Sequence, residues 1–163
     1  MPIEAAHKSW WQTSEVILGS PFIASIALQL VMPISLPVEF RRPLTIFIGA
    51  ALIVVGATLI VYARREFAKY GQRTDPGQPT SKIVTSGVFS ISRNPLYLGG
   101  VCALLGFALV FKLTWFFIFL LPTILACHYV LIAPEERYLT AKFGEEYTSY
   151  VAAVYRWIGR AIK

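Results

Sequence analysis

The sequence predicts an all-α integral membrane protein, with four transmembrane helices followed by a C-terminal interfacial amphipathic helical segment. Three observations predict it. Hydrophobic residues make up 56% of the 163 residues and charged residues only 15%, against roughly 25% in soluble domains. The apolar residues are grouped in long blocks: Val16–Leu36 and Leu44–Ala63 hold no charged residue. Between Leu96 and Ala133, Lys112 is the only charged residue. A helix needs about 20 residues to cross the hydrocarbon core. Four blocks qualify, at about residues 16–36, 44–63, 95–111 and 113–133. The length suits a single domain over 1–163.

The elements follow in order. Residues 1–15 form a short amphipathic lead, in which Lys8, Trp10 and Trp11 suit the headgroup level. The first block reads as a span rather than a cleavable signal. It is too long, Gln29 and two prolines interrupt it, and no small-residue cleavage pattern follows. Pro21 and Pro33 are expected to bend or end this helix. A tight turn over Pro37–Pro43 leads to the second span, whose Gly49 and Gly56 suit close helix contact. That helix is expected to run on past the membrane through Arg64–Ala68.

A polar loop then occupies 64–93. Its stretch Gly71–Gly87 is rich in Gly, Pro, Thr and Ser, which is turn chemistry. A loop this long in a small protein is more often functional than idle. It leads straight into Ser92-Arg93-Asn94-Pro95-Leu96-Tyr97 and is placed to fold over that cluster. Asn94 is a favoured N-cap and Pro95 suits the first helical position. The third span is short, which puts Arg93 and Asn94 at or just inside the headgroup boundary. Gly99, Ala103 and Gly106 share roughly one face, open to another backbone. Lys112-Leu113-Thr114 turns the chain. Pro134 is expected to open a new helix with Glu135 and Glu136 in its first turn, beginning a helical segment over 134–160. Gly144 breaks it, and an aromatic amphipathic helix follows from about Glu145 to Trp157.

Basic residues set the orientation. Four spans put the N-terminus, the middle loop and the C-terminus on one side. That side holds Lys8, Arg64, Arg65, Lys69, Arg73, Lys82, Arg93, Arg137, Lys142, Arg156, Arg160 and Lys163. The other has only Arg41, Arg42 and Lys112. The asymmetry predicts both termini in the cytoplasm. The net charge of +6 is therefore mostly topological. It suits anionic lipid as a partner and not nucleic acid, for which no basic-aromatic motif exists.

Spans three and four form a hairpin whose ends return to one membrane face. That brings Arg93 and Tyr97 near Glu135 and Glu136, and charge at the mouth of a membrane hairpin reads as a site. Each group also has a plainer reading. Arg93 can snorkel to phosphate and Tyr97 can join an aromatic belt. Glu135 and Glu136 can serve a helix dipole. Together, cation, phenol and carboxylates suit a zwitterionic cofactor with an additional positive centre. His128 lies seven residues before Glu135, on the same face of a straight helix. It can shuttle a proton, orient a substrate or hydrogen-bond between helices. Cys102 and Cys127 lie inside spans and read as small apolar core residues. No metal-type ligand spacing, glycine-rich nucleotide fingerprint, P-loop or Ser-His-Asp set occurs. Any cofactor must bind among the membrane helices.

Two motifs carry a resemblance. The first runs Gly71, Thr74, Pro79, Ile83-Val84, Gly87, Phe89 and Arg93-Asn94-Pro95-Leu96-Tyr97-Leu98-Gly99. The second runs Glu135-Glu136, Leu139, Phe143-Gly144, Tyr147, Tyr150, Val154 and Arg156. Flanking a hydrophobic hairpin, they resemble the isoprenylcysteine carboxyl methyltransferase family and its prokaryotic relatives over about residues 64–157. The resemblance implies a multi-pass methyltransferase dependent on S-adenosyl-L-methionine, in a prokaryotic cytoplasmic membrane, acting on a lipophilic or lipidated acceptor. That acceptor is a prenylcysteine-like carboxylate or thiol, or a lipid amine. Eukaryotic prenylcysteine enzymes usually have His where this chain has Asn94. The resemblance maps Arg93, Asn94, Tyr97, Leu98, Gly99, Glu135, Glu136, Tyr147 and Arg156 to the cofactor pocket. Arg93 or Arg156 would hold the cofactor carboxylate, and Glu135 or Glu136 its ammonium or sulfonium. An amine or hydroxyl acceptor would call on His128 or a glutamate as base. A sterol-type membrane reductase shares a related Arg-Asn-Tyr pattern. A non-catalytic four-span scaffold is the third class.

Overall fold

The computed structural model describes residues 11–35, 42–72 and 81–161, with the side chain of Arg42 excepted. Among the described residues every regular element is helical, and one isolated antiparallel bridge pairs Val154 with Arg160. The lead before Trp11, most of the first interhelical turn, and Thr74 and Pro79 of the first motif lie outside the described residues. The lid expected of Gly71–Gly87 therefore falls largely outside them too.

Helix α1 spans Ser14–Val31, and Thr13 Oγ1 accepts from Val16 N at its start. Pro21 sits within the helix and does not end it. The helix stops two residues short of Pro33, earlier than the apolar block, because a residue preceding proline is driven out of the α region. Trp115 Nε1 donates to the freed carbonyl of Met32, tying α1 to the chain just past Lys112.

Helix α2 runs unbroken over Arg42–Lys69, 28 residues. At 1.5 Å per residue that is about 42 Å, longer than the ~30 Å hydrocarbon core, and the helix continues through Arg64–Ala68 as the sequence predicts. Helix α3 covers Pro95–Phe111 and packs along α2. Small residues permit this. A Cβ on Gly56 would lie 2.5 Å from the Gly99 carbonyl, and one on Gly106 would lie 2.5 Å from the Gly49 carbonyl.

Lys112, in the left-handed region at φ 54°, reverses the chain. Helix α4 (Thr114–Ala126) packs chiefly on α1 rather than on α3. It widens into a π-helical segment, Cys127–Ile132, and continues as α5, Ala133–Phe143. Pro134 therefore opens no new helix. Ala133 N donates to His128 O across the π turn. The widening lies directly ahead of the proline, whose missing N–H cannot serve the preceding turn. Glu135 and Glu136 are inside a continuous helix, and the first-turn dipole reading of them falls away.

Gly144, at φ 54°, breaks the helix as expected. Helix α6 is shorter than the sequence suggests, Glu145–Ala153. Beyond it the chain doubles back: Tyr155 N donates to Gly159 O, and Ala161 N to Ala153 O. Gly159 holds φ 116° there, a conformation open to glycine and strained for other residues.

Three helices are long and apolar enough to cross a membrane: Ser14–Val31, Pro43–Lys69 and Thr114–Phe143. Pro95–Phe111 is apolar but shorter, at 17 residues.

Candidate functional site

The first motif is held from three directions. A short 3-10 turn, Gly87–Ser90, opens it. Gly87, at φ 58°, lies so close to the Glu66 carboxylate that a Cβ would sit 2.6 Å from Glu66 Oε1. Glu66, on α2, also accepts from Ser86 Oγ at 2.9 Å and Lys69 Nζ at 2.6 Å. Tyr150 Oη, from α6, donates to Phe89 O at 2.6 Å. The C-terminal reversal supplies the rest. Arg160 Nε donates to Ser90 O, Gly159 N to Ile91 O, and Arg93 N to Tyr155 O.

Asn94 does not cap α3 through its side chain. Its Nδ2 donates to Arg156 O at 3.1 Å, while its backbone N–H goes to Ser92 Oγ. The residue expected as a helix cap is instead a cross-link to the C-terminal segment. Pro95 takes the first helical position as predicted.

The second motif arrives through the π segment. A π turn bonds i to i+5 rather than i+4, so it takes up about one extra residue. In a plain α-helix His128 shares its face with the residue seven on, Glu135. With the extra residue that face passes to Glu136. The two carboxylates then point to different partners, which resolves what spacing alone left open.

Glu136 sits between two arginines. Its Oε1 accepts from Arg93 Nη1 at 2.9 Å and from Arg156 Nε at 3.0 Å, and its Oε2 accepts from Arg156 Nη2 at 2.7 Å. The Arg93 side chain is 9% exposed, Glu136 19% and Arg156 36%. The Glu136 carboxylate raises the Arg156 pKa above its ordinary value. His128 Nδ1 lies 3.5 Å from Arg156 Nη1. Burial raises the Tyr147 pKa, the Glu136 charge adds to this, and the neighbouring Arg93 guanidinium opposes it.

Glu135 differs. Tyr97 Oη donates to its Oε2 at 3.0 Å. The residue is half-buried, and among the described residues no basic group pairs with it. Arg93 Nε, by contrast, is a buried donor with no partner. The cluster thus keeps one uncompensated carboxylate and one uncommitted guanidinium N–H.

Of the predicted site residues, the structure joins Arg93, Asn94, Tyr97, His128, Glu135, Glu136, Tyr147 and Arg156. Gly99 is buried against Gly56 O and Ile60 of α2, where it serves helix packing, and Leu98 is half-buried beside it. Glu66 was missed by sequence reasoning. Its signal was a lone carboxylate among basic residues at the end of α2, with Lys69 three residues on. No group of three or more His, Cys, Asp or Glu suited to a metal occurs among the described residues.

Residues 44–146 match the model of the PEMT family, described as phospholipid methyltransferase. The chain belongs to the phospholipid methyltransferase family. That family shares a clan with the isoprenylcysteine carboxyl methyltransferases, so the resemblance read from the two motifs holds. No curated protein and no solved structure matches the chain. Membership in the phospholipid methyltransferase family indicates a membrane methyltransferase. The match takes in Arg93, Tyr97, His128, Glu135 and Glu136, and ends one residue before Tyr147.

Proposed function

We propose that the protein transfers a methyl group from S-adenosyl-L-methionine to a lipophilic acceptor. It would do so at the cytoplasmic membrane face, with four spans and both termini in the cytoplasm. The observation that carries this reading is Glu135, a half-buried carboxylate oriented by a phenol and left without a cation.

The residues present fit the cofactor. A carboxylate in a partly desolvated site is costly unless a positive charge meets it. S-adenosylmethionine brings an ammonium and a sulfonium, together with a carboxylate. Glu135 would face the positive charge. Arg93, with its unpartnered Nε, would turn toward the carboxylate. Arg156 is already committed to Glu136, so Arg93 is the better of the two for that end. Glu136 then serves to hold both arginines, and Tyr97 holds Glu135. When bound, the cofactor supplies a methyl carbon on a positively charged sulfur, open to in-line displacement.

This chain supplies position and a water-poor setting rather than a covalent nucleophile. With an amine acceptor, Glu135 Oε1 is the atom placed to take the proton that the methylated nitrogen sheds, since Oε2 is held by Tyr97. With a carboxylate or thiolate acceptor no base is needed and Glu135 acts as countercharge alone. The family's phospholipid description favours a lipid amine over a prenylcysteine-like group.

Calorimetric titration of detergent-purified protein with S-adenosylhomocysteine, alongside reduced nicotinamide nucleotide, tests the reading. Saturable binding of the first alone is expected. Binding of the nicotinamide alone would point to a reductase, and binding of neither by folded protein would point to a scaffold. Transfer of a labelled methyl group to vesicles of phosphatidylethanolamine, compared with a farnesylcysteine, then names the acceptor.

A further inference from the structure

We infer that His128 is a positioning residue for Arg156, and that the π-helical turn places it there. Arg156 uses two of its three guanidinium nitrogens on Glu136. The third, Nη1, points at His128 Nδ1 at 3.5 Å. An arginine only donates, so a hydrogen bond here uses Nδ1 as the acceptor, in the tautomer that carries the ring proton on Nε2.

The geometry explains why one residue is held so completely. Arg156 is carried by the reversal after α6, a segment with no helix to stiffen it. Its main chain is pinned by Asn94 Nδ2 and its head by Glu136 and His128. With His128 beside Nη1, Arg156 turns its Nε and Nη2 edge to Glu136. Without that acceptor, Arg156 can rotate about its terminal bonds. Arg156 and Arg93 share Glu136 Oε1, so that rotation shifts the carboxylate that also positions Arg93. Tyr129 packs edge-on against the imidazole, ring centroids 4.7 Å apart, and limits its rotation. His128 is thus assigned to orientation, not to proton transfer with the acceptor. The contact lies within the chain, so His128 holds this role whether or not the cofactor reading stands.

The test uses the full-length protein in detergent. A double-mutant cycle of His128→Ala and Arg156→Ala is read by thermal midpoint without ligand. The expected result is that the double variant is no less stable than Arg156→Ala alone. Additive losses would overturn the proposal. His128→Asn then separates orientation from bulk, because Asn Oδ1 can stand where Nδ1 accepts, whereas Ala cannot. With S-adenosylhomocysteine, His128→Ala is expected to weaken affinity about fivefold and His128→Asn to restore most of it. Equal loss in both variants, or no loss in either, would also overturn it. If unsubstituted protein binds no S-adenosylhomocysteine, the proposed function fails, and the ligand-free cycle still decides the role of His128.

Discussion

Arg156 meets Glu136 edge-on, its Nε 3.0 Å from one carboxylate oxygen and its Nη2 2.7 Å from the other. Such paired bonds fix direction as well as distance. The contact joins the C-terminal reversal to the last long helix, and Arg93 joins the start of α3 to the same carboxylate. Three separate parts of the chain meet on one glutamate.

Glu136→Gln should therefore unfold the site. Two guanidiniums would face an amide that returns no charge. Losing one partner of a fully buried pair costs about 3–5 kcal/mol. The partial exposure of this cluster brings the expected loss to about 2 kcal/mol. Equilibrium unfolding in mixed micelles reads it.

Glu135→Gln should leave stability within about 1 kcal/mol of the unsubstituted protein, since only a phenol bond is weakened. The same unfolding measurement checks this. The two adjacent glutamates are thus predicted to differ in kind, one in stability and one in binding.

Tyr97→Phe removes the donor to Glu135 Oε2 while keeping the ring against the buried cluster of Leu18, Cys127, Leu131 and Ile132. Cofactor affinity should fall about three- to tenfold with the helical content unchanged. Calorimetry and far-ultraviolet circular dichroism on the same sample separate the two effects.

Gly56→Ala should cost about 1–3 kcal/mol, because its Cβ would meet the Gly99 carbonyl at 2.5 Å and Ala103 N at 2.7 Å. Gly19→Ala, where nothing lies within 4 Å, should be neutral or stabilising by up to about 1 kcal/mol. Thermal midpoints of the pair test whether α2 and α3 meet backbone to backbone.

Alkaline pH should destabilise the protein through Tyr147 and Tyr150. Burial raises both phenols above the ordinary tyrosine value. A group whose folded pKa lies above its unfolded value stabilises fully below the unfolded pKa and loses that contribution as pH rises. The window therefore opens at about pH 10 and extends upward. Tyrosinate absorbance should lag behind that of free tyrosine until helicity is lost. Early titration of all tyrosines in folded protein would oppose the packing described for α6.

Much of this was legible in the residues. The uncharged blocks marked the long helices, Gly49, Gly56, Gly99 and Gly106 marked the close helix pair, and the hairpin brought Tyr97 to Glu135. What failed did so for identifiable reasons. Pro134 looked like a helix start because proline favours the first turn, but it also suits a site just beyond a π turn. That turn is a small backbone choice with no strong residue signature, and it decides which glutamate faces which partner. The reversal after Ala153 was hidden because Tyr147, Tyr150, Val151, Val154 and Ile158 recur at helical spacing, while Gly159 and the bonds to Ser90 and Ile91 favour turning back. Asn94 was read as a cap from local preference, and a tertiary acceptor, Arg156 O, took its amide instead.

The central claim is the division of labour between Glu135 and Glu136. The most direct measurement is titration of S-adenosylhomocysteine into unsubstituted and Glu135→Gln protein by calorimetry, with the thermal midpoint of each recorded without ligand. The account predicts saturable binding that weakens at least about tenfold in Glu135→Gln, with midpoints within a few degrees. Equal affinity in the two proteins, at equal stability, would contradict it.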